Sequence, residues 1–257
     1  MDHLSEIGLR DKYKDSQVDL DQIEPVDFVW WGQPFSELVG KYRSYDWIIA
    51  SHLIEHTPDL IGFLNNCSDI LSDSGVLSLA IPDKRYCFDH FRPLSGLGQV
   101  IDKHSQRSNT HSRGTVAEHL MYAVSRSGQL GWNSCTSGKF QFSHTLPDIK
   151  QFILDSDFQT EYIDVHAWCF VPHSFRLLIH DLHALGLIDF QELSFHNTVD
   201  HEFFITLNRN GSCEKTPRTE LLRNMQREVS GSNSPPVTIK GRLKNMFWRL
   251  QTLVTKM

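Results

Sequence analysis

One stretch, Tyr45 to Asp89, constrains the chain more than any other, because it reads as strand, loop, helix, turn, strand and loop in that order. Tyr45-Asp46-Trp47-Ile48-Ile49-Ala50 is a short apolar run with β-branched residues, which predicts a strand buried on both faces. Thr57 is placed to cap a helix, with Pro58 at its first position and Asp59 in its first turn. Leu60, Phe63, Leu64, Cys67, Ile70 and Leu71 recur at helical spacing and give one apolar face. Asp73-Ser74-Gly75 is expected to end that helix. Val76 to Ile81 then predicts a second buried strand, stopped by Pro82. Two parallel strands joined by a helix form a βαβ unit, and ligands of such units bind at the carboxyl ends of the strands. Those ends carry Ser51-His52-Leu53-Ile54-Glu55-His56 and Pro82-Asp83-Lys84-Arg85.

At 257 residues and 40% hydrophobic content, the chain suits one α/β domain with an appendage. No apolar run of about 18 residues is present, so no transmembrane helix is expected. The five cysteines (Cys67, Cys87, Cys135, Cys169 and Cys213) are scattered, with no C-x-x-C. That spacing fits reduced thiols in a cytoplasmic protein better than a disulfide framework or a zinc site. Cys67, on the apolar helix face, is read as core. The acidic balance, a net charge of -6, gives no support for nucleic-acid binding.

Around this unit, residues 2 to 14 read as a loop entering a helix, with Leu4, Ile7 and Leu9 apolar. Val26 to Trp30 is a strand candidate, and Phe35 to Val39 a helical turn or two. A polar insertion runs from about Ser95 to Ser143 and holds a helix from Thr115 to Ser125. Thr145 caps a helix from Leu146 to Leu154. Glu161 to Phe170 alternates as an extended segment or strand. Pro172 opens a helix to Leu185, ended by Gly186. Ile188 to Phe195 and Glu202 to Leu207 read as an antiparallel closing pair.

From 209 to 237 the sequence is polar, with a helix from Thr219 to Arg227 and a Ser-Gly-Ser-Asn-Ser-Pro-Pro linker. Residues 238 to 257 carry Lys240, Arg242, Lys244, Arg249 and Lys256 and no acid, with apolar residues at helical spacing. This predicts a basic amphipathic helix that docks on the domain or a partner, or meets a membrane surface.

His52-Leu53-Ile54-Glu55-His56 matches H-x-x-E-H, a zinc-peptidase motif in which both histidines lie on one helix. Here a strand precedes His52 and the helix is expected only from Thr57, so no metal set is expected from this motif. His180 and His183 are read as ordinary helix residues. His166 and Trp168 pair a donor with an aromatic face and are candidates for binding a sugar.

The pattern YDWIIASH-x-x-EH-x-PD, a helix, then L-x-x-x-G-x-L-x-L-A-x-PDKR resembles the class I S-adenosylmethionine-dependent methyltransferases. Members with a PDKR-x-x-FD-x-x-RP segment look closest, here Pro82 to Arg85, Phe88-Asp89 and Arg92-Pro93. The resemblance covers roughly residues 1 to 210. It implies a Rossmann-like methyltransferase sheet with flanking helices across 1–208, with S-adenosyl-L-methionine as cofactor and a small molecule or glycan as acceptor.

Ser51 and His52 would then lie beside the cofactor, Gly32 and Gln33 near its adenine, and Asp2 at the acid that binds the ribose. Glu55 and His56 would either tie the loop or deprotonate the acceptor. Asp83 would also act at the substrate side, while Lys84 and Arg85 would pair an acidic substrate. The family's glycine-rich loop has no counterpart before Tyr45. The resemblance therefore implies that the first strand, its helix and most of the second strand are missing. That leaves the strand from Tyr45 with an open edge, which invites association, a homo-oligomer included. A truncated or misassigned gene product, a second chain that fills the gap, and a scaffold relative that has lost the cofactor all remain open.

Overall fold

The structure, a computed structural model, describes residues 1–15, 19–107, 109–154, 162–211 and 216–231. In chain order the helices and strands are α1 (Glu6–Tyr13), α2 (Phe35–Val39), β1 (Tyr45–Ser51), α3 (Leu60–Ile70), β2 (Leu71–Pro82), α4 (Leu97–Gln106) and α5 (Arg113–Tyr122). They continue with β3 (Val124–Arg126), β4 (Phe140–Phe142), α6 (Leu146–Leu154), α7 (Pro172–Ala184), β5 (Gln191–Val199), β6 (Glu202–Asn208) and α8 (Arg218–Ser230). The fold is mixed α/β. Its main sheet has the order β1-β2-β6-β5, and β3 and β4 form a separate small hairpin within the insertion.

The expected βαβ unit is present, with β1 parallel to β2 across Trp47↔Val76 to Ser51↔Ala80. β6 returns antiparallel to β2, and β5 antiparallel to β6, so the closing pair is also as expected. The tight turn between β5 and β6 places Asp200 at φ 55°, a left-handed conformation that aspartate tolerates better than most side chains. Leu77, Leu79 and Ile81 of β2 share one face with Leu207, Ile205 and Phe203 of β6, their register partners. Leu60, Phe63, Leu64 and Cys67 of α3 and Phe175, Leu178, Ile179 and Leu182 of α7 close over that face and complete the core. Cys67 is fully buried there, and burial pushes its thiol pKa up.

Several local expectations change. Helix α3 begins later than Thr57 because Asp59, not Thr57, is its cap: Asp59 Oδ1 accepts from Gly62 N at 2.9 Å. Thr57 instead closes a 3-10 turn at Ile54–His56, donating from Oγ1 to Ile54 O at 2.8 Å. The helix ends at Ile70, and β2 takes Asp73-Ser74-Gly75 into a long strand. The register shift between Tyr45 and Trp47 absorbs the extra residues.

Strand β1 is not buried on both faces. It lies at the sheet edge, with Trp47 64% and Ile49 77% exposed. An apolar run specifies burial only where another element covers it, and none pairs with the outer edge of β1 among the described residues. Val26 to Trp30 makes only a bridge, Asp2↔Val29, rather than a strand. Ile7 of α1 points to solvent. Residues 162 to 169 form no helix or strand and pair with no strand among the described residues, and Phe170 makes a single bridge to Asp83.

Insertion helix α5 starts at Arg113 because Ser112 caps it, its side chain accepting from Thr115 N at 3.2 Å. Helix α6 carries Thr145 at its start as expected, with Asp148 N donating to Thr145 Oγ1 at 3.4 Å. Helix α8 covers the helix expected from Thr219 to Arg227 and docks on α7. Leu221 is buried, and Arg218 donates to the two Asp181 oxygens through Nε and Nη2, at 2.7 and 2.9 Å. The rest of the linker beyond Gly231 and the basic helix expected over 238–257 lie outside the described residues.

Candidate functional site

The centre of the site is the turn that follows β1. His52 takes the left-handed conformation, φ 47°, and swings the chain away from the sheet. The 3-10 turn then buries Ile54 in the core and places Glu55 at 0% exposure. The Glu55 carbonyl accepts from Ala167 N at 2.6 Å and from Trp168 N at 3.3 Å. Trp168 Nε1 donates to Thr57 O at 2.7 Å. These bonds thread residues 166–168 beside the turn although more than 100 residues separate them in sequence. They bring His166 to Glu55.

The loop after β2 fixes His166 from the other side. Arg92 donates to Asp89 Oδ1 at 2.9 Å and to His166 O at 2.8 Å, and both Arg92 and Asp89 are buried. Asp89 Oδ2 stands 2.5 Å from His166 Nδ1. Burial would raise the Asp89 pKa, but the hydrogen bond and charge of His166, together with Arg92, outweigh it and hold Asp89 down at about 2. With Nδ1 engaged, the Nε2 edge of His166 faces Glu55, 3.9 Å from Oε1.

His56 is held in the same manner. Its Nδ1 lies 2.7 Å from Asp164 Oδ1, an ion-pair contact out of line with an ideal hydrogen bond. Lys12 of α1 meets the other Asp164 oxygen at 2.5 Å. Burial lowers the His56 pKa, but Asp164 and Glu55 together outweigh it and raise it above the ordinary histidine value. The Nε2 of His56 is 3.9 Å from Glu55 Oε1. His52 adds a third imidazole, with Nδ1 3.7 Å from Glu55 Oε1 and Nε2 2.6 Å from Glu202 Oε2 of β6.

Among the described residues Glu55 itself has no hydrogen-bond partner on either side-chain oxygen. Burial raises its pKa, against the opposing pull of His166 and His56. A fully buried carboxylate left without a hydrogen bond is costly. Among the described residues, Glu55, His56 and His166 each present a ligand-type atom within 4.8 Å of the others.

The fold thus brings together His52, Glu55, His56 and His166 from the expected residues. It withdraws others. Asp83 is fully buried and spends its carboxylate on Arg85 Nε, at 2.9 and 3.1 Å, and on Thr198 Oγ1 at 2.6 Å. Its carboxylate is held within the fold, and Arg85 is committed to it. Lys84 Nζ donates to His90 O at 2.6 Å, and burial lowers its pKa. Trp168 is 1% exposed and lies in the core, so its faces offer nothing to a sugar.

Ser51 is exposed at the end of β1. Asp2 is tied into the bridge with Val29, its Oδ1 accepting from Leu4 N at 3.0 Å. Gln33 lies in the same segment, its Oε1 accepting from Trp31 N at 2.7 Å. Gly32 has φ 99°, but a Cβ built there would fall 2.3 Å from Asn109 Nδ2, so this side of the glycine is already filled by protein.

Sequence reasoning missed Asp89, Asp164 and Glu202 as partners of the histidines, and Arg92 as the group that fixes Asp89. The FD-x-x-RP spacing after β2 was the available signal for Asp89 and Arg92. Glu202 offered none, because its role depends on β6 returning beside β2. Comparison with family models, with curated proteins and with solved structures finds no match to this chain.

Proposed function

We propose that this chain is a methyltransferase-like α/β protein of the class I S-adenosylmethionine-dependent type, with a small molecule or glycan as its acceptor. One observation carries the reading. A cluster of three imidazoles around a buried carboxylate stands at the carboxyl ends of a parallel strand pair, where α/β sheets bind ligands. The parallel β1-β2 pair closed by antiparallel β6 and β5 supports it as well. In this reading His56, partly exposed and held by Asp164, is the base for an acceptor hydroxyl, and Glu55 orients it. Ser51 and His52 lie on the cofactor side.

The described residues fit S-adenosylmethionine only in part. The Ser51 hydroxyl is exposed, and Asp2 keeps part of its carboxylate in solvent. No G-x-G loop for the methionine end precedes β1, and at Gly32, expected near the adenine, Asn109 fills the space beside the backbone. That observation favours a second reading, a binding or scaffold relative that has lost cofactor affinity. Calorimetry of the purified chain with S-adenosylmethionine and S-adenosylhomocysteine separates the two. Micromolar binding, weakened at least tenfold in Ser51→Ala, is expected of the enzyme. A folded chain that binds neither ligand sinks the methyl-transfer reading and leaves the scaffold.

A further inference from the structure

We infer that Glu55, His56 and His166 form a binding site for one divalent first-row transition ion, of the Zn²⁺ class. The inference goes beyond the methyl-transfer reading and does not rest on it: with an ion bound, His56 Nε2 is taken up as a ligand and is no longer free to act as the base described above. The donor set is one carboxylate and two imidazoles with mutual reach of 4.8 Å. Ligands about 2.1 Å from a tetrahedral ion stand roughly 3.4 Å apart. Glu55 Oε1 stands 3.9 Å from each of the two Nε2 atoms, so closure on an ion needs only side-chain shifts.

Three independent features point to a ligand rather than to a packing accident. Among the described residues both Glu55 oxygens are buried without a hydrogen-bond partner, and three imidazoles stand within 3.9 Å of Oε1. Native proteins rarely leave such groups unsatisfied unless an ion or water completes them. Next, each ligand histidine has its own carboxylate behind it, Asp164 at His56 Nδ1 and Asp89 at His166 Nδ1. At His166 that is the carboxylate–histidine arrangement which fixes the tautomer and leaves Nε2 to the metal, and at His56 the carboxylate makes the same approach as an ion pair. Finally, the two rings meet edge to face at 4.6 Å between centroids, so both Nε2 atoms converge on Glu55 instead of stacking away from it.

Three protein ligands leave a position open. Glu55 and His166 close the inner side, while His56 and His52 are partly exposed, so the open position faces solvent. It takes an oxygen ligand: water, or the hydroxyl of an acceptor. The peptidase motif H-x-x-E-H supplied two of the three ligands here, but the histidine it pairs with Glu55 and His56 is not on a shared helix. His166 arrives from a distant extended segment instead.

The test uses the full chain, stripped with a chelator, and Zn²⁺ as the probe, with no S-adenosylmethionine present. Calorimetry is expected to give one equivalent bound, and the melting temperature is expected to rise with added Zn²⁺. Substitution by Co²⁺ reads the site in the wild-type protein, through visible absorption of a four-coordinate ion and paramagnetically shifted imidazole protons from two histidines. His166→Gln and Glu55→Gln are expected to weaken binding at least 100-fold, and Asp164→Asn about 10-fold to 100-fold. His180→Gln, on the far helix α7, is expected to bind as wild type does. A natively folded wild-type chain that takes up no Zn²⁺ overturns the site. So does equal binding by folded His166→Gln, or a Co²⁺ complex that shifts no imidazole protons. Each of those results leaves cofactor binding to be decided by its own titration.

Discussion

Trp168→Phe decides whether the tryptophan beside His166 is a binding platform or a structural post. The indole is 1% exposed, packs in the main core, and donates through Nε1 to Thr57 O at 2.7 Å. Phenylalanine keeps an aromatic ring but removes the donor. The void left is about 40 Å³, worth about 1 kcal/mol at roughly 24 cal/mol per Å³. The orphaned Thr57 carbonyl adds about 1–3 kcal/mol, because it is buried behind the turn that carries Glu55. The expected loss is therefore about 2–4 kcal/mol, or a fall in melting temperature on the order of 5–15 °C for a chain of this size. Urea unfolding followed by circular dichroism measures it, as a shift of the midpoint at unchanged slope. A loss below about 1 kcal/mol would refute the reasoning, since no fully buried, bonded indole is given up so cheaply. Abolished sugar binding at unchanged stability would restore the platform role.

Two further substitutions test the frame around the site. Arg209→Met removes a guanidinium that donates to Ser72 O at 2.8 Å and Leu71 O at 3.3 Å, and also to Ser68 O, where α3 ends and its carbonyls lack helical partners. The expected cost is about 2–4 kcal/mol by chemical denaturation, and a cost under about 0.5 kcal/mol would show that water replaces it. The His90 pKa is lowered by burial, against its bond to Arg85 O at 2.8 Å. The unfolded chain therefore binds a proton, at about pH 6.5, before the native one does. His90 leaves stability intact above that pH and takes stability away as the pH falls toward its folded value, below which the loss levels off. His90→Gln is expected to flatten this part of the urea-midpoint profile between about pH 7 and pH 5. An unchanged slope would mean that His90 titrates normally.

The sequence alone determined the elements with a strong period and clear stop signals. The β1-α3-β2 unit, the Pro172 helix ended at Gly186 and the closing pair β5-β6 were all readable, because apolar spacing and turn residues act locally. The choice of cap was less legible, since Thr57 and Asp59 are both good caps, and in the fold Thr57 closes the preceding 3-10 turn while Asp59 caps the helix. The same local information placed His52, Glu55 and His56 at a strand end.

Tertiary structure alone decided what those residues do. His166 joins them because the Glu55 carbonyl bonds Ala167 and Trp168, and Asp89 turns its ring because Arg92 is buried beside it. The contacts of His166, Ala167 and Trp168 join segments far apart in sequence, and no period or spacing encodes them. Asp83, Arg85 and Trp168 had the right chemistry in the sequence for a substrate site, and the fold spent them on its own polar groups and core. Exposure of Trp47 and Ile49 was equally illegible, because an apolar run states that it must be covered and does not state by what.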